Sequence, residues 1–104
     1  MNWRLEIRPE VEFDVAKAAI WYESQQPGLG GEFVEDVIQV WDVLAENPLH
    51  NSRQHPRKNL RWCHPKRFPF RVIYKVLSAE RSIVVAAVLH AAGNETRWQP
   101  RMAG

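Results

Sequence analysis

Between Asn47 and Ala79 the chain carries Arg53, Arg57, Lys58, Arg61, Lys66, Arg67, Arg71 and Lys75, and not one Asp or Glu. Guanidinium and ammonium groups gathered like this bind phosphates or carboxylates. Arg61, Lys66, Arg67, Arg71 and Lys75 are the candidates to meet such a group. His90 is the best candidate to move a proton, because an ordinary imidazole titrates near neutrality. His64 is second. Cations and an acid/base together would be the parts for metal-free phosphodiester cleavage; cations without it would only bind. His50, His55, Cys63 and His64 follow no ordinary zinc spacing, and adjacent Cys-His ligands do not easily face one ion. No metal and no cofactor is expected.

These groups need a frame. Phe68 to Leu77 is a strand built on alternation, with Phe70, Val72, Tyr74 and Val76 on one side and Arg71, Ile73 and Lys75 on the other. One face joins a core and the other carries cations. Ile83 to Leu89 is apolar throughout, which marks an interior strand ending at His90. Asn59–Cys63 reads as a weak strand. Residues 49–58 read as a loop.

Upstream, Trp3, Leu5 and Ile7 alternate with Arg4, Glu6 and Arg8 as a short strand stopped by Pro9. Val11, Val15, Ala18, Ala19 and Tyr22 then fall on one helical face. Pro27-Gly28-Leu29-Gly30-Gly31 is a turn. Phe33, Val37, Val40, Trp41 and Leu44 make the face of a second helix, stopped by Asn47-Pro48. The short connection predicts an antiparallel hairpin, with Trp21 and Trp41 dominating its packing. The expected fold is α+β, in the order β-α-α-β-β-β, with the hairpin on one face of a mainly antiparallel sheet. One domain over 1–104 is expected, divided into a strand (1–9), the helical hairpin (10–47), the basic sheet (48–90) and a tail (91–104).

Charge sorts with these layers. Residues 1–46 hold three basic and ten acidic side chains, 47–79 hold eight basic and none acidic, and 80–104 hold three and two. The net charge of +2 conceals this split. An acidic helical layer and a basic sheet layer predict opposite potentials on opposite faces. The single cysteine, Cys63, allows no internal disulfide and fits a reducing cytosol. The charged start shows no signal peptide, and no apolar run reaches the roughly 20 residues of a membrane span.

In its ordered pieces the chain resembles the RelE/ParE superfamily of bacterial type II toxin–antitoxin toxins, which includes plasmid stabilisation proteins. Those pieces are Trp21-Tyr22-Glu23, Pro27-Gly28-Leu29-Gly30 before Phe33, Asn47-Pro48, Phe68-Pro69-Phe70-Arg71-Val72-Ile73-Tyr74, Ala87-Val88-Leu89-His90, and Arg97-Trp98-Gln99-Pro100-Arg101. The resemblance implies a two-layer fold and a cognate antitoxin as partner. The target would be DNA gyrase in the ParE-like case, or the ribosome and its mRNA in the RelE-like case. Fold does not choose between them.

The RelE-like case would use Arg71 on the phosphate, with Arg61, Lys66 and His90. Such nucleases carry a catalytic tyrosine near the C-terminus, and residues 91–104 contain none. Family members often place a base three positions past the strand-end histidine, where this chain has Gly93. The reading therefore leans to a cytoplasmic gyrase inhibitor. Its expected binding surface is Arg61, Lys66, Arg67, Arg71, Lys75 and Trp98, partly overlain by an acidic or amphipathic antitoxin segment.

Overall fold

Pro9 opens the first helix, where its missing N–H costs nothing and its fixed φ suits the first turn. A computed structural model describes residues 3–49 and 52–91. Its elements are β1 (Arg4–Ile7), α1 (Pro9–Gln25), α2 (Leu29–Glu46), β2 (Arg53–Gln54), β3 (Arg61–Cys63), β4 (Phe70–Leu77) and β5 (Ser82–His90). The sheet order is β1-β5-β4-β3-β2, antiparallel throughout except for the parallel β1–β5 pair. β1 enters from the chain start and runs alongside β5, so the sheet is mixed. β2 lies within the stretch expected to be loop. Its two residues pair with Trp62 and Arg61.

The hairpin turn is held by one carboxylate. The N–H groups of Gly28 and Gly30 donate to Glu23 Oε2 and Oε1 at 2.9 and 3.0 Å. This places negative charge at the start of α2, where the helix dipole favours it. Gly28 has φ of +89°, a left-handed conformation that suits glycine.

The hairpin covers one face of the sheet. Val11, Phe33, Val37, Val40 and Leu44 meet Phe70, Val72, Tyr74, Val76, Ile83, Val85 and Val88 there. The rings of Tyr22, Phe33, Phe68 and Phe70 stack edge-on or tilted, with centroids 4.8–6.1 Å apart. The Tyr74 hydroxyl donates to the Pro48 carbonyl, tying the chain after α2 to the centre of the sheet. Trp41 packs against this core as expected. Trp21 does not dominate it: the residue is 58% exposed, at the rim of an open cleft that it lines with Tyr22, Phe70 and His90.

The far face of the sheet has its own small apolar cluster of Leu60, Ile73 and Ala87, flanked by Trp62 and Leu89, with no helical residue in it. β5 is interior, between β1 and β4, and apolar on both faces, as its composition predicts. Its register slips once. Tyr74 pairs with Val85 but Ile73 pairs with Ala87, so Ala86 is an extra residue in the ladder. Such a bulge shifts the alternation by one position beyond it.

Candidate functional site: a cationic sheet face

Residues directly opposite in an antiparallel pair project to the same face. Trp62 pairs with Ile73, and Arg71 with Leu89. These side chains and Lys75 therefore stand on the far face, away from the hairpin. Arg53, paired with Trp62, joins them from β2. The Arg71 guanidinium carbon lies 5.8 Å from the Trp62 ring centroid, within cation–π reach. Lys58 and Lys75 border a shallow depression with Asn59 and Leu60. Arg71 and Lys75 are half-buried.

Three of the expected cations are elsewhere. Arg61 pairs with Tyr74 and so faces the hairpin side. There it donates to Ser52 Oγ at 3.2 Å and Gln54 Oε1 at 3.1 Å. Arg67 forms an ion pair with Glu32 of α2 at 2.7 Å, so a carboxylate of the helical layer neutralises it. Lys66 lies beside it in the β3–β4 connection, near Asp36, Val40 and Cys63. This turn is latched by the buried Asp36 carboxylate, which accepts from the N–H groups of Lys66 (3.3 Å) and Arg67 (2.9 Å). Trp98 lies outside the described residues.

Asp36→Ala should free that turn. Two backbone donors lose their charged acceptor, at an expected cost of about 3 kcal/mol. Asp36→Asn, which keeps one acceptor oxygen, should cost about half as much. Urea denaturation of the three proteins would measure both.

His90 does not join Arg71. It pairs with Phe70, a hairpin-side residue, and the two rings sit 5.3 Å apart. The imidazole borders a cleft with Asp14, Lys17, Trp21 and Phe70. The bulge at Ala86 is the reason. Continued alternation from Ile83 would put His90 on the far face; the extra residue turns it to the other side. Tyr22 and Tyr74 are also on the hairpin side, and burial raises both phenols above their usual range. His64 is exposed, with Nδ1 2.9 Å from the Phe70 carbonyl oxygen. The far face therefore holds cations and an indole, while His90, Tyr22 and Tyr74 stand on the other side.

Trp62, Arg53 and Lys58 are the members of this surface that sequence reasoning did not assign to it. The signal for Trp62 was its place beside Arg61 in a three-residue strand, where alternation separates the two.

Two helices on a mixed sheet in this order define the fold of the RelE and ParE toxins. The chain matches the model of the family described as "ParE toxin of type II toxin-antitoxin system, parDE" over residues 5–95, and it belongs to that family. It is thus a type II toxin–antitoxin toxin of the RelE/ParE superfamily.

No match is found among curated proteins. Among solved structures it is similar to a chain of the chromosomal ParDE system from P. aeruginosa (16% identity, TM-score 0.73, covering 85% of this chain and 95% of that one). It is also similar to the E. coli toxin RelE, solved as a mutant in the free state (15%, 0.72, 98% and 99%). A third similar structure is the RelBE2 toxin–antitoxin complex from Mycobacterium tuberculosis (15%, 0.64, 86% and 99%). At these identities the likeness is one of fold.

Proposed function

We propose that this protein is a single-domain cytoplasmic toxin that stops growth by acting on DNA gyrase and is neutralised by a cognate antitoxin. The observation that carries this reading is the far face of the sheet. Arg53, Arg71 and Lys75 gather there around Trp62, while His90, Tyr22 and Tyr74 are turned to the opposite side. Clustered cations around an indole, without the imidazole of His90 beside Arg71, favour binding of an acidic target over its cleavage. The cations also suit an acidic stretch of the antitoxin, which would cover the surface in the neutral complex. No described helix is long and apolar enough to cross a membrane.

Purified protein at about micromolar concentration, the range of weak to moderate protein affinity, should inhibit supercoiling by purified gyrase. Arg71→Glu/Lys75→Glu should raise the half-inhibitory concentration at least about tenfold, a loss of roughly 1.4 kcal/mol of binding. Full supercoiling at saturating wild-type protein would sink the proposal. The runner-up, ribosome-dependent mRNA cleavage with Arg71 and His90, is favoured by the shared fold with RelE. Primer extension on translated message would then show cuts that Arg71→Ala and His90→Ala remove. Unchanged growth on induction without antitoxin would leave only an antitoxin-binding module.

A further inference from the structure

The cleft that His90 borders opens between α1 and the end of the sheet. Asp14, Lys17, Ala18 and Trp21 are spaced i, i+3, i+4 and i+7, which sets them in one stripe of α1. Phe70, Val88 and His90, where β4 starts and β5 ends, form the facing wall. The hollow holds about 430 Å³, within the roughly 300–1,000 Å³ of small-molecule sites. A second hollow of about 440 Å³ continues it past Tyr22 and Pro69.

Its walls are aromatic and fixed in advance. The Trp21 and Tyr22 rings meet edge to face at 5.1 Å, and those of Phe70 and His90 at 5.3 Å. Tyr22 in turn meets Phe68 at 4.8 Å, so the exposed indole rests against a ring tied to the core. Ala18, common to both hollows, is too small to fill the gap between the rings. Opposite charges stand on the α1 wall. Lys17 is exposed. Asp14 is half-buried, and its Oδ2 accepts from the Val88 N–H at 3.0 Å, which ties the carboxylate across to β5. A carboxylate has about four acceptor positions, so this bond does not exhaust it.

We propose that this cleft binds a small aromatic zwitterion, the class of the aromatic α-amino acids. The ring stacks against Trp21, the α-carboxylate meets Lys17 and the α-ammonium meets Asp14. The charge pattern selects the ligand. A nucleotide phosphate would enter against Asp14 and the ten acidic side chains of residues 1–46. A lone ammonium would face Lys17, and a lone carboxylate would face Asp14. A zwitterion meets each with the opposite sign. An aliphatic amino acid carries both charges but leaves the indole unstacked. The inference goes beyond the gyrase reading and does not depend on it, because the cleft draws its charges from α1 and not from the far face of the sheet.

Amide shifts in the NMR spectrum of the isotope-labelled full chain test this, with Ala18, Val88 and Leu89 as markers of the cleft. The probes are L-tryptophan, tryptamine, indole-3-propionate and L-leucine. L-tryptophan at about millimolar concentration should move the Val88 amide along a saturable curve. Tryptamine and indole-3-propionate should each bind at least about threefold more weakly, the size of one partly exposed charge contact. L-leucine should leave the markers in place. Trp21→Ala should weaken L-tryptophan at least about tenfold. Lys17→Ala should erase its advantage over tryptamine. Both residues are exposed, so the variants should fold, and circular dichroism checks that they do. Phe13→Ala, on α1 but outside the cleft, should change nothing. No saturable shift of Val88, equal affinity for the three indoles, or wild-type binding by Trp21→Ala would each overturn the proposal. So would tighter binding of either singly charged indole.

Discussion

Gly30→Ala is expected to lower stability by about 3 kcal/mol and the midpoint of thermal unfolding by roughly 15 °C. A Cβ at this position would lie 2.5 Å from the Ala19 carbonyl oxygen, 3.0 Å from Glu23 Oε1 and 3.1 Å from Glu23 Cβ. The first of these atoms belongs to the backbone of α1 and cannot swing aside. Relief requires moving one helix away from the other. That motion loosens the packing of Phe33 and Val37 and pulls the Glu23 carboxylate off the N–H groups it accepts from. Gly31→Ala is the control: nothing lies within 4 Å of a Cβ there, and alanine favours a helix interior by roughly 1 kcal/mol. The two variants should therefore shift in opposite directions in a calorimetric melt. Equal and small shifts would mean that the helices separate at little cost.

Cys63 in the folded protein should react with a thiol reagent about 100-fold more slowly at pH 8 than in urea. Burial pushes its thiol from 9.0 up to about 11, and only the thiolate reacts, so the reactive fraction falls by about two powers of ten. The same shift gives a sign for stability. The folded state holds this proton more tightly than the unfolded one, so the contribution is whole below about pH 9 and is lost as pH rises through about 11. The loss should amount to about 2 kcal/mol. Comparing wild type with Cys63→Ala between pH 8 and 11 isolates it, because the variant lacks this part of the alkaline decline. Fast labelling of the native protein at pH 8 would contradict the expected burial against Val72 and the α2 side chains.

The elements were legible because their periodicities are clean. The faces of α1 and α2, the alternation of β4 and the interior character of β5 all follow from side-chain spacing, and the structure has them where spacing puts them. The placement of Arg71 and Lys75 away from the hairpin is a direct consequence of period two. The parallel approach of β1 to β5 was not legible, since a four-residue strand carries no mark of its partner.

The composition of the site was harder to read. Sequence proximity grouped Arg61, Lys66, Arg67, Arg71 and His90, but local backbone decides each of them separately. Arg61 shares a face with Tyr74 by register. Arg67 is drawn to Glu32 across 35 positions of chain, which no local pattern could announce. The side on which His90 stands could not be read, because a one-residue irregularity leaves no trace in an all-apolar segment.

That irregularity has a consequence for how such a chain can diverge. From Ile83 to Leu89 either phase of the strand offers aliphatic side chains to both layers, so packing would accept both with modest readjustment. Smoothing the bulge at full length, so that Ala86 joined the ladder opposite Ile73, would turn the outer end of β5 over and carry His90 to the face that holds Arg71. Which face the imidazole joins is then decided by a one-residue slip of register, with no change in any residue that does chemistry.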